Sequence, residues 1–178
     1  MRKILLVTGN ENKLREWQRQ MPDDVLLESM DIDLPEIQSD DPEEIVADKA
    51  KRAYEVAGIP VVVEDVSAAL KHLNGLPGPF IKFFMKRLGN DALHQLSTHD
   101  GEAATISCAV AYYDGANLVT LRGDAEGTVV APRGDNGFGF DVTFVPDGHN
   151  KTYAEMSSDE KDKVSHRQKA IKMFVDTL

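Results

Sequence analysis

A single cysteine stands in the 178 residues, which excludes an internal disulfide and any cysteine-built metal cluster and fits a reducing compartment. That cysteine, Cys108, lies in the apolar stretch "ATISCAVAYY" and reads as a small core residue. Long hydrophobic runs are also missing. The run behind Arg2 and Lys3 covers only Ile4 to Val7, too short for a signal peptide, and nothing approaches the ~18 apolar residues of a membrane span. A cytoplasmic location with no membrane partner is expected. There is no lysine and arginine block, and the net charge of -10 repels a nucleic-acid backbone, which excludes a nucleic-acid polymer as partner. A small polyphosphate stays open as a ligand, provided a few cations converge locally and some carboxylates hold a divalent cation. With no internal repeat or low-complexity segment, 42% hydrophobic and 28% charged residues describe an ordinary globular chain, expected to be one domain over residues 1–178.

What is present begins as a βαβ unit. Lys3 to Val7 reads as a strand, Asn12 to Met21 as a helix and "VLLESMDI" as a second strand. In "SDDPEEIVADKAKRAYEVAG", Asp41 can cap a helix, Pro42 suits its first position, Glu44 completes a capping box and Gly58 ends it. Ile45, Val46, Ala50, Ala53, Tyr54 and Ala57 form the buried stripe. "IPVVVED" reads as a buried strand that stops at two carboxylates, followed by a short helical or irregular piece and the turn-rich "NGLPGPF". "FIKFFMKRLG" reads as a helix closed by Gly89, and Asp91 can cap another. From Glu102 to Val145 the pattern alternates and is punctuated by Asp-Gly and Gly-Asp turns, as in hairpins, with "FDVTFV" as a further strand. Ser157 with Glu160 and Ser165 with Gln168 start two C-terminal helices, the last apolar at Ala170, Ile171, Phe174, Val175 and Leu178. Helix and strand alternation followed by strands argues for an α/β fold with a mixed sheet.

The candidate chemistry starts at "TGNENK", residues 8 to 13. It is a strand, a glycine turn and a lysine, but without the second glycine and the Ser/Thr of a P-loop. Backbone N–H groups at a helix start favour an anion, with Asn10 and Lys13 as added donors; equally, Asn10 can be the helix cap and Lys13 a solvated side chain. Glu64 and Asp65 at the strand end, with Glu36 in "DIDLPEIQSDD", are the oxygen ligands that Mg²⁺ prefers. Glu36, Asp40 and Asp41 can also be read as a solvated loop and cap. Lys49, Lys82, Lys161, His166 and Arg167 follow turns or lie on helices; any one alone is more often a solvated charge, and it is their positions after turns and at helix starts that single them out. His166 and Arg167 in a first helical turn oppose the helix dipole unless an acceptor is near, which hints at function. In "PRGDNGFGFD", one of Phe138 and Phe140 is expected in the core and the other free to stack on a flat base, with Asp141 reading the base's polar edge.

Taken together, "TGNENK", "LPEIQ", "EEIVADKA", "VVVED", "GLPGPFIKFF", "APRG", "FGFD" and "KVSHR" stand in the order of the inosine triphosphate pyrophosphatase family, and the chain resembles that family from about Lys3 to Phe174. The resemblance implies a long mixed β-sheet flanked by helices, two lobes around a central active-site cleft, and a homodimer. It also implies Mg²⁺-dependent hydrolysis of ITP, dITP and XTP, small-molecule purine nucleoside triphosphates, to monophosphate and pyrophosphate. On the same resemblance Thr8, Gly9, Asn10, Glu11, Asn12 and Lys13 bind the triphosphate, and Glu36, Glu64 and Asp65 form the metal site, with Asp65 catalytic. Lys49, Lys82 and Lys161 contact phosphate or nucleotide, and Val66 stands at a further substrate position. Phe138, Gly139, Phe140 and Asp141 line the base pocket with His166 and Arg167. Two positions depart from the family pattern: Val66 stands where Thr or Ser is usual, and Phe140 where Trp or Tyr is frequent. Two other activities fit the same residues, a pyrophosphatase for another modified nucleotide, and a nucleotide-binding protein with little catalysis.

Overall fold

The computed structural model describes residues 2–178. Its elements run β1 (Arg2–Val7), α1 (Glu11–Gln18), β2 (Val25–Met30), α2 (Pro42–Ala57), β3 (Val61–Leu70), β4 (Pro77–Gly78), α3 (Ile81–Leu88), α4 (Ala92–Leu96), β5 (Glu102–Tyr113), β6 (Leu118–Val129), β7 (Phe144–Pro146), α5 (Ser158–Asp162) and α6 (His166–Val175). The strands form one seven-stranded sheet in the order β2-β1-β3-β5-β6-β7, with β4 paired to β3 off this path. Pairing of β1 with β2 and β3 is parallel, and that of β3 with β4 and β6 with β7 antiparallel. This is the mixed α/β sheet expected from the sequence.

The chain divides into two compact units. The first comprises the residues up to Asp65 together with Cys108–Gly123 and Gln168–Leu178; the second is Val66–Ser107 with Asp124–Arg167. In the first, Leu5, Val7, Val61 and Val63 pack with Val46, Ala50 and Ala53 of α2 and Ala109 and Ala111 of β5. The α2 stripe is thus as expected at its core, with Tyr54 and Ala57 packed at its margin. In the second, Ala68, Leu70, Ile81, Leu93, Ile106, Val129, Phe140, Phe144 and Tyr153 are among the residues forming a separate apolar cluster. Gly127 of β6 belongs there for a steric reason: a Cβ would lie 2.2 Å from the Val145 carbonyl oxygen and 2.6 Å from the Phe144 ring.

Several expectations are corrected. α1 ends at Gln18 rather than Met21. β3 does not stop at the two acids but runs on to Leu70, because Val66, Ala68 and Leu70 continue the apolar face beyond them. Gly123-Asp124 is no turn and lies inside β6. Phe140 to Val142 belong to a 3-10 turn, Gly139–Val142, leaving only Phe144–Pro146 as strand. Asp41 does cap α2, through the Glu43 N–H at 2.8 Å, but its own N–H donates to Ser39 Oγ, and Glu44 accepts from the Ser39 hydroxyl instead of closing a box. Asp91 precedes α4 without making a side-chain cap bond. The Ser157 and Glu160 box is present in both directions. α6 starts at His166 and buries Ala170, Ile171 and Phe174.

Candidate active site

In the first unit the βα turn is built around Asn10. Its Oδ1 accepts from the N–H groups of Asn12 at 2.9 Å and Lys13 at 3.3 Å, and Thr8 Oγ1 accepts from the Asn10 N–H at 3.1 Å. Of the two roles open to Asn10, the cap is therefore the one made. At Gly9 an ideal Cβ would sit 2.5 Å from an oxygen of the exposed Asp31 carboxylate, so a side chain there would have to push that carboxylate aside. Glu11 is an acid in the first turn of α1, as its dipole favours, and Asn12 Oδ1 accepts from Arg15.

The same helix carries Lys13 to Glu64. The ammonium lies 2.9 Å from Glu64 Oε1, and the indole N–H of Trp17 donates to Oε2 at 2.7 Å. Glu64 is 3% exposed, and only a carboxylate with such partners is tolerated there, since desolvation of an unpaired one costs several kcal/mol. Asp65 follows it, 8% exposed. Lys49 of α2 lies 3.5 Å from Glu36 Oε2. Burial pushes the Lys49 ammonium below its ordinary pKa, and Lys13 lowers it further, against the pull of Asp65 and Glu64. Lys13, Lys49, Glu36, Glu64 and Asp65 thus share one electrostatic environment, in which two cations meet three acids.

Among the described residues no three His, Cys, Asp or Glu side chains converge as a cage for a metal ion. The acids present still fit Mg²⁺, which is bound through one or two carboxylates together with phosphate oxygens and water. An ionised carboxylate has about four acceptor positions, so Glu64 can bind Lys13 and Trp17 without being exhausted as a ligand.

In the second unit the aromatic and cationic residues gather. Lys161 Nζ lies 2.7 Å from Asp141 Oδ2, with both side chains buried, and Asp141 Oδ2 also accepts from the Phe138 N–H at 2.9 Å. The Lys161 ammonium is 5.0 Å from the Phe138 ring centre and 5.5 Å from that of Tyr153, and the Arg167 guanidinium lies 5.3 Å from Phe138. Phe138 is half-buried and Phe140 buried, so the ring available for stacking is Phe138 and the core ring is Phe140. His166 is buried between Phe140, at 6.1 Å, and Tyr153, stacked at 5.9 Å. Gly139 takes a positive φ of 60°, which an L side chain disfavours. Val66 is packed against the apolar cluster and offers no hydroxyl, while Ser67 Oγ is buried and makes no hydrogen bond among the described residues. Lys82 is exposed on α3, its ammonium 5.1 Å from the Phe83 ring centre.

Sequence reasoning brought the acids and lysines forward but passed over Trp17 and Tyr153. The spacing of Lys13 and Trp17, four residues apart on one helix face, is the signal that could have found the first. For Tyr153 no local signal exists, because its partners Lys161 and His166 come from later elements.

Comparison with known proteins gives a consistent answer. An inosine triphosphate pyrophosphatase of Schizosaccharomyces pombe is 40% identical over all of this chain and 96% of its own length. An inosine triphosphate pyrophosphatase 1 of Trypanosoma cruzi is 42% identical over 95% of this chain and 88% of its own. Among solved structures, the Ham1 protein of Staphylococcus aureus superposes with a TM-score of 0.84, covering 99% of this chain and 97% of its own at 23% identity, which speaks for the fold. Residues 4–177 match the Ham1 family throughout, and the chain belongs to that family.

Proposed function

We propose that the chain is a hydrolase that splits ITP, dITP and XTP between the α and β phosphates, releasing nucleoside monophosphate and pyrophosphate and so clearing deaminated purines from the nucleotide pool. The observation that carries this is the set of Lys13, Lys49, Glu36, Glu64 and Asp65 around one capped βα turn, supported by the activity in the relatives' names. The enzyme works on a small molecule in the cytoplasm and as a homodimer; no helix among the described residues is long and apolar enough to cross a membrane.

In this proposal Thr8 to Lys13, with Lys49, Lys82 and Lys161, take the triphosphate, and Val66 contacts it through backbone alone. Asp65 orients or deprotonates the water that attacks the α-phosphorus. The lysines meet charge that builds on the departing pyrophosphate, where fixed cations lower the barrier most. Glu36, Glu64 and Asp65 are the residues that would hold Mg²⁺. When bound, the ion supplies charge neutralisation of the phosphates and polarises the bond that breaks.

The base is assigned to the second unit's group. Phe138 offers a face for stacking, and Arg167 or His166 donates to the 6-oxo oxygen of hypoxanthine or xanthine. The 6-amino group of adenine would bring a donor against a donor, which costs ~1–3 kcal/mol, about tenfold to a hundredfold per group.

Asp65→Asn tests the assignment. Loss of a catalytic acid or base lowers turnover by about 10²–10⁴, so the variant should release pyrophosphate from ITP that much more slowly at saturating Mg²⁺ while still binding ITP. Near-normal turnover would show that Asp65 does not have this role.

A further inference from the structure

Trp17 is the sole tryptophan of the chain, it is fully buried, and its one polar atom is spent on Glu64. We propose that Trp17 is a positioning residue: its indole N–H and the Lys13 ammonium form a two-point clamp that fixes the orientation of the Glu64 carboxylate beside the phosphate turn. The proposal rests on the reading of Glu64 as a site acid given above.

Both donors come from α1 at positions i and i+4, one helix face, and each takes a different oxygen: Lys13 Oε1 at 2.9 Å, Trp17 Oε2 at 2.7 Å. Lys13 holds the carboxylate less firmly, since an ammonium on a four-carbon stem follows its partner, and the Cys108 thiol, 3.9 Å from Oε2, is only a weak donor. Trp17 cannot follow. Its ring meets Phe174 edge to face at 5.6 Å and 62°, and Phe174 in turn packs on Tyr112 at 5.7 Å. The carboxylate therefore has to come to the indole, and a neutral donor fixes it without adding charge to a region already holding Lys13 and Lys49. Because Asn10 caps this same helix, the clamp ties the phosphate turn to β3 through one rigid element. Partners of this kind, behind a metal-binding acid, usually change metal affinity or activity about 10- to 100-fold when removed.

Trp17→Phe keeps most of the ring bulk and removes the N–H. The Mg²⁺ concentration for half-maximal ITP hydrolysis is expected to rise about tenfold, with kcat at saturating Mg²⁺ changed by less than about threefold. A second readout needs no turnover. In the wild-type protein, Mg²⁺ with inorganic pyrophosphate should change Trp17 emission saturably, and Glu64→Gln should abolish that change while calorimetry still detects pyrophosphate. An unchanged Mg²⁺ requirement in Trp17→Phe would overturn the proposal, as would a loss of activity matching only a lost folded fraction. So would silent Trp17 emission while calorimetry reports binding. A folded wild-type protein that neither hydrolyses ITP nor binds pyrophosphate would instead overturn the function itself, and the role of Trp17 with it.

Discussion

The buried charges of Lys161, Asp141 and Glu102 are held by pairing. Lys161 and Asp141 form a buried ion pair at 2.7 Å, and removing one member of such a pair leaves an uncompensated charge at a cost of ~3–5 kcal/mol. Lys161→Met should lose about that much stability in urea unfolding, and the double variant with Asp141→Asn should recover a large part of it. Equal losses in the single and double variants would contradict pairing as the cause. Glu102 is a second paired acid: burial pushes its carboxyl up, but donors from the Thr98 N–H, His72 and the Thr98 hydroxyl outweigh this and hold it below its ordinary value. The pairs of Lys161 with Asp141 and of His72 with Glu102 are not legible from sequence, because the partners stand 20 and 30 residues apart and no local pattern links them. The residue types were legible. "EDV" and "KVSHR" mark groups that need neighbours, even where the neighbours cannot be named.

Elements were read best where start and stop signals are local. Asp41, Pro42 and Gly58 bound α2 as expected, and the Ser157 and Glu160 box opens α5. Ser157→Ala should cost about 1 kcal/mol of stability at pH 7, the usual worth of a cap. Glu160 adds a pH signature: hydrogen bonding by Lys151 and the Ser157 N–H lowers its carboxyl to about 2. A depressed carboxyl stabilises the fold fully above its ordinary value of 4.5 and loses this as pH falls toward 2. The difference in melting temperature between wild type and Glu160→Gln should therefore shrink across that window. Elements failed to be legible where tertiary contacts overrode local punctuation. Gly123-Asp124 looks like a turn yet lies within β6, and "FDVTFV" looks like six residues of strand, yet Phe140 turns into the core ahead of β7. Gly127 shows the same rule in reverse: it is a strand glycine kept for close approach. Gly127→Ala should destabilise the fold by about 1–3 kcal/mol through overpacking against Val145 and Phe144, as read by thermal unfolding.

For the whole molecule, the mixed sheet was legible from the βαβ opening and the alternating strands that follow. The division of the chain was not, since β3, β5 and β6 each give residues to both compact units and a sequence shows no break at Asp65, Ser107 or Gly123. The proposed chemistry is hydrolysis of a phosphoanhydride bond in a small nucleotide. Its central claim is cleavage between the α and β phosphates of a 6-oxopurine nucleotide in preference to a 6-aminopurine one. The most direct measurement is product formation from ITP and from ATP under saturating Mg²⁺, with pyrophosphate and orthophosphate assayed separately. The account predicts pyrophosphate and IMP from ITP, with kcat/KM for ATP lower by about tenfold to a hundredfold or more. Orthophosphate as the first product, or equal rates on ATP and ITP, would contradict it.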